Sequence, residues 1–219
     1  MVIQFHKMHS YNIITSLILL PVFVLHNSMA LTVYYWGPLK MNMYGRAIGI
    51  YATLYQAGAE FEMKTPDEMP ENGAFAVPCL DIDGLVVGQT AAILMVLGKR
   101  FELAGSSPAE TVKIHQAVLD FDDIFSEHGK FEEKPDRAKK WFSYLDAKIA
   151  AGGTTWVAGT KEATVADFHG VFACEWLVKK GIDFTSDYPN IAKWWEAVKT
   201  VPGMKKLYDS CVDGRTMIP

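Results

Sequence analysis

Apolar and polar positions follow two different rhythms along this chain. From residue 31 to about residue 101 they read as strand, helix, strand, hairpin and helix, and from residue 108 they are helical almost to the end. "LTVYYW" is β-branched and aromatic and predicts a buried strand. "YGRAIGIYATLYQAG" carries Ile48, Tyr51, Ala52 and Tyr55 at helical spacing and stops at Gly58, a natural C-terminal cap. "AEFEMK" alternates and predicts a second strand, and "PDEMPENG" is a turn-rich loop. Residues 77–82 and 85–87 flank Asp83-Gly84, a strong hairpin signal. "TAAILMVLGKRF" is helical by its alanine and leucine content, and Ser106-Ser107-Pro108 is the expected linker.

Beyond the linker, "PAETVKIHQAVLDFDDIFSEHG" places Val112, His115, Val118, Leu119, Asp122 and Phe125 along one predicted face. "KPDRAKKWFSYLDAKIAAGG" predicts a second helix closed by Gly152-Gly153. "TVADFHGVFACEWLVKKG" opens with Thr164 and Asp167 in the positions of a capping box. "YPNIAKWWEAVKTVPGMKKLYDSC" supplies at least one more helix, interrupted at Pro202-Gly203. The expectation is an α/β domain over residues 31–104 and an all-α domain over 105–219. Residues 1–30 stand apart. Their short apolar core and the small residues Ser28-Met29-Ala30 fit a secretory signal peptide, while a start at Met29 would make the segment a gene-model extension. The apolar stretch is too short, and too broken by Pro21, for a stable membrane span.

Composition narrows the function classes. A length of 219 residues and a net charge of −4 describe a globular chain without the clustered basic patch that nucleic acid needs. The three cysteines, Cys79, Cys174 and Cys211, form no CxxC, zinc spacing or disulfide framework, which favours a reducing, cytoplasmic setting over the secretory pathway. Six scattered histidines make no HxxxH or HExxH pair, so no metal is expected.

Pro78 sets the central problem, because a proline at the start of an apolar run removes a ladder donor. It marks either an edge strand or a special turn that leaves backbone free for a ligand. A β-α-β, β-β-α order with a proline just ahead of a strand resembles the thioredoxin fold, in which that proline is cis. With Val77-Pro78 cis, the Val77 N–H and C=O face outward and can pair with an extended ligand. Gln89 and Thr90 then stand at the mouth of a helix whose free N–H groups suit a carboxylate. A backbone clamp beside an anion site describes a receptor for a short acidic peptide.

"AVPCLDIDGLVVGQTAAIL" resembles the glutathione-binding stretch of the cytosolic glutathione transferases. "WVAGTKEATVADFHG" is similar to their capping element, and "YPNIAKWWEAVKTVPGMKKLY" to their last helices. The resemblance implies a thioredoxin-like domain followed by an all-α domain, a homodimer, and glutathione as co-substrate with no further cofactor. Tyrosines near the end of the first strand resemble the tyrosine type (sigma, mu or pi-like) and map Tyr35 to the catalytic position, with Arg46 of "GRA" in support. The resemblance also implies glutathione contacts from Val77, Pro78, Gln89, Thr90, Lys64 and, from across a dimer interface, Asp120. A thiol with a pKa of about 8.5 is mostly protonated at neutral pH, and a hydroxyl that donates to the sulfur favours the thiolate. That thiolate would attack a hydrophobic electrophile. Strand alternation lets only one of Tyr34 and Tyr35 meet the sulfur, and Tyr44 is a rival hydroxyl. "WGPLKMNMY" is longer than the family's usual link, and Ala76 stands where tyrosine-type members commonly have Gln. Two alternatives stay open: a non-catalytic binding or structural protein of this fold, and a glutathione-dependent isomerase of the prostaglandin-synthase sort.

Overall fold

A computed structural model describes residues 30–36, 43–71, 73–181 and 186–211. The readings of the leader, of the long link through residues 37–42 and of the C-terminal edge of the electrophile pocket lie outside these residues.

Four short strands form one sheet: β1 (Leu31–Tyr34), β2 (Glu62–Lys64), β3 (Cys79–Ile82) and β4 (Leu85–Gly88), in the order β2-β1-β3-β4. β1 and β2 are parallel, joined by helix α1 (Ile48–Gln56) as a parallel pair requires, and the other pairs are antiparallel. Asp83 and Gly84 both take positive φ, the twist that a two-residue hairpin demands, and the Gly84 N–H donates to Asp81 Oδ1 at 2.7 Å. β3 lies inside the sheet, so Pro78 does not mark an edge strand. It precedes the ladder, and the Val77-Pro78 bond is cis.

Helix α2 (Thr90–Arg100) follows the sheet, and α3 (Pro108–Glu127), α4 (Pro135–Ala151), α5 (Val165–Lys179), α6 (Pro189–Thr200) and α7 (Pro202–Ser210) make up the helical half. This is the expected fold, a thioredoxin-like half followed by helices. α3 opens as a proline-led helix does, with the Ser107 hydroxyl accepting the Glu110 N–H at 3.2 Å. Its buried face is Ile114, Ala117, Val118, Phe121 and Ile124. That corrects the predicted face, which lay rotated from it. Val112 and Leu119 point to solvent because α3 presents Phe121 to α5, where Gly170 leaves space for its ring.

Asp167 pins the helical half. It is wholly buried on α5, and burial pushes its carboxyl above the usual range although four donors reach it. Oδ2 accepts the Thr164 N–H at 2.8 Å and the Thr164 hydroxyl at 2.9 Å; Oδ1 accepts the Val157 N–H at 2.9 Å and the Trp194 indole N–H at 2.8 Å. The capping box therefore also ties α5 to α6 and to the preceding loop. Replacing Asp167 by Ala strands these donors in a dry interior. The variant is expected to lose about 3 kcal/mol or more in a denaturant titration, well beyond the loss of a surface cap.

Candidate functional site

The sheet register gathers the expected residues at one end. Tyr34 pairs with Cys79 and Cys79 with Gly88, so one step further along Tyr35 lies beside Pro78, and Pro78 beside Gln89. Alternation separates the two tyrosines. Leu31, Val33 and Tyr35 join the main core, whereas Thr32 and Tyr34 face the other side of the sheet.

Tyr35 is 7% exposed, and its hydroxyl accepts the backbone N–H of Arg46 at 3.1 Å. This contact depends on Gly45. It sits at φ +48, and a Cβ there would meet Tyr35 Oη at 2.9 Å. The short 3-10 turn Gly45–Ala47 thereby brings the start of α1 onto the phenol. Burial raises the Tyr35 pKa, opposed by the Arg46 N–H bond and then by the Arg46 charge. The phenol is thus neutral at physiological pH. One oxygen lone pair is occupied and its proton is available to donate.

Tyr44 is placed elsewhere. It is buried edge-on against Tyr51, with ring centroids 5.3 Å apart, and its hydroxyl meets Ser210 Oγ of α7 at 2.5 Å.

Beside Pro78, the Val77 N–H and C=O make no backbone hydrogen bond among the described residues. Gln89 holds φ +67, an uncommon conformation for a residue with a side chain, and turns the chain from β4 into α2. Thr90 opens the helix. Its Oγ1 is buried and has no hydrogen-bond partner among the described residues. An open backbone edge, the unpaired N–H groups of a helix start and an unsatisfied hydroxyl make a receptor for an extended ligand bearing a carboxylate.

Two expected contacts lie apart from this group. Lys64 pairs with Tyr34 in the register and so lies on the Tyr34 face. Its Nζ is 3.2 Å from Glu62 Oε2, a bond that raises the lysine pKa. Asp120 is engaged within its own chain, accepting from Lys148 Nζ at 2.7 Å and the Tyr144 hydroxyl at 3.0 Å.

Sequence reasoning missed the surroundings of Arg46. Its guanidinium lies 4.1 Å above the Phe125 ring, and Nη1 is 3.7 Å from Asp122 Oδ1. Only the shared face predicted for Asp122 and Phe125 hinted at a joint role. Phe125 also walls a cavity of about 250 Å³ between α3 and α5, with His128, Phe172 and Trp176 as further rings and Lys179 and Lys180 at its edge. Among the described residues no cluster of His, Cys, Asp or Glu is placed to hold a metal, and no helix is long and apolar enough to cross a membrane.

Residues 109–202 match the family model of the glutathione S-transferase C-terminal domain. The chain is 29% identical over 189 residues to glutathione S-transferase 1 of Ascaris suum, covering 74% of this chain and 89% of the relative. It is 26% identical over 179 residues to the hematopoietic prostaglandin D synthase of Homo sapiens, with the same shares covered. Among solved structures, a glutathione S-transferase from Ascaris lumbricoides superposes with a TM-score of 0.68 at 23% identity, covering 85% of this chain and 97% of that one. A Nu-class enzyme from Haemonchus contortus gives 0.69 at 20% identity, covering 83% and 96%. The described chain has the glutathione transferase fold.

The raised phenol gives a direct check. The ultraviolet difference between the parent protein and Tyr35→Phe is expected to reach half of its phenolate band only above pH 10. A midpoint below that pH would contradict the neutral, buried donor.

Proposed function

We propose that this chain is a glutathione transferase of the tyrosine type, binding glutathione along Val77, Gln89 and Thr90 and attacking electrophiles with its thiolate. One observation carries the reading: the buried Tyr35 hydroxyl accepts the Arg46 N–H, which leaves its proton for the sulfur. A hydrogen bond to the charged form stabilises the thiolate over the thiol, and the thiolate is the nucleophile. The tyrosine donates without itself ionising, since burial holds its pKa up.

Each ligand group finds a complement. The Val77 edge suits a peptide backbone, while Thr90 and the α2 N-terminus suit the γ-glutamyl carboxylate. The aromatic cavity at Phe125 suits a hydrophobic electrophile. The intrachain bonds of Asp120 and Lys64 would have to open before either residue could reach glutathione. A second reading, an isomerase using the same thiolate, draws on the likeness to prostaglandin D synthases. Cys79 and Cys174, both buried and outside any disulfide, favour a cytoplasmic setting for either activity.

A homodimer belongs to the same proposal. Phe75, just ahead of the cis proline, is fully exposed, and Val112 and Leu119 on one side of α3 and Tyr144 of α4 are also exposed. A second copy of the chain would cover apolar groups of this kind.

Titrating the thiolate absorbance of bound glutathione tests the chemistry. The parent is expected to show a pKa about one to two units below that of the free thiol, and Tyr35→Phe to lose that shift together with about 10- to 100-fold in kcat/KM at neutral pH. Saturable binding with an unshifted pKa would instead identify a carrier. Phe75→Ser is expected to weaken self-association at least tenfold in sedimentation equilibrium, and an unchanged dimer would exclude Phe75 from the interface.

A further inference from the structure

His169 sits in the second turn of α5, almost wholly buried, with only one side of its ring engaged. Nε2 is 3.2 Å from Asp122 Oδ1, and Nδ1 is buried with no hydrogen-bond partner among the described residues. A carboxylate accepts, so Nε2 carries the proton of this bond. The imidazole has little freedom to move. A Cβ at Gly49 would lie 2.9 Å from His169 Cα and Cβ, so α1 rests directly on its backbone.

The same Asp122 oxygen faces Arg46, at 3.7 Å from Nη1. A direct guanidinium–carboxylate hydrogen bond is about 2.7–2.9 Å. The carboxylate thus stops short of the arginine and is held instead by the imidazole, while the guanidinium rests over Phe125. Of the charged groups around His169, Asp122 reaches it from α3 and Arg46 stands behind that carboxylate. Asp167 on α5 is turned to Thr164, Val157 and Trp194.

We propose that His169 is a positioning residue for the Tyr35 site. By holding Asp122 Oδ1 it keeps the carboxylate from closing on Arg46, and so leaves the guanidinium charge available to a thiolate beside Tyr35. The inference rests on the transferase reading given above. An imidazole that served packing alone would leave the ionisation of a bound thiol untouched.

The experiment is the thiolate titration, with pH profiles of kcat/KM, on the full chain and on His169→Phe and His169→Gln. Phe fills the space without a donor. Asp122 then closes on Arg46, and the bound thiol pKa is expected to rise by about half to one unit. Activity falls about 3- to 10-fold below that pKa and matches the parent above it, with KM for glutathione little changed. Gln restores a donor and is expected to recover most of the shift. A folded His169→Phe with an unmoved thiol pKa, or a Gln variant as impaired as Phe, overturns the proposal. Should His169→Phe fail to fold, Asp122→Asn decides. With the carboxylate charge gone and Arg46 still over Phe125, the thiol pKa stays or falls, and a rise overturns the proposal. A parent that binds no glutathione, or binds it with an unshifted thiol, overturns the transferase reading and this inference together. A shifted parent with unmoved variants overturns this inference alone.

Discussion

Everything at the site hangs on how tightly α1 is enclosed. Every residue from Ile48 to Leu54 is buried, so this helix has no solvent face. Helices α2, α5 and α7 pack around it, the last two at positions where only glycine fits. A Cβ at Gly203 would lie 2.5 Å from the backbone nitrogen of Gln56. The Gly203 N–H instead donates to Gln56 Oε1 at 2.8 Å. Each large apolar side chain in such a core contributes about 1.5–3 kcal/mol. Little freedom remains for the turn that precedes α1, and that turn carries the N–H aimed at Tyr35. Rigidity of the helical half is thereby transmitted to a phenol in the other half.

Much of this was legible because it was local. Asp83-Gly84 announces its hairpin, Gly58 its helix end, and Thr164 with Asp167 a cap, since each depends on neighbours in the chain. Alternation alone separates Tyr34 from Tyr35. What stayed hidden was long-range. The α3 face was read wrongly because Val112 and Leu119 are as apolar as the residues that are buried, and only the packing partner tells them apart. Nothing around Arg46 says that it will lie over Phe125, or that His169 will meet Asp122. Tyr44 and Tyr35 look interchangeable in sequence, and it is the positive φ of Gly45 that brings the second one's hydroxyl to the arginine N–H.

The site is built chiefly from groups without net charge: a neutral phenol, backbone N–H groups, a threonine hydroxyl and a helix start. Such dipoles are held in place by the fold and need no reorganisation when charge develops on a ligand. The strained Gln89 fits the same pattern. Its φ of +67 costs stability, and it delivers the chain from the last strand directly into the first turn of α2.

Cys79 stands immediately after the cis proline, on the strand that carries the proposed binding edge. It is fully buried, its thiol donates to the Ala76 carbonyl oxygen at 3.2 Å, and burial pushes its pKa up. A reactive thiol here would exchange with oxidised glutathione and block the binding edge with a mixed disulfide. Kept protonated and out of reach, this sulfur makes a poor nucleophile. Burial thus keeps the Cys79 sulfur from disulfide exchange beside the proposed binding edge.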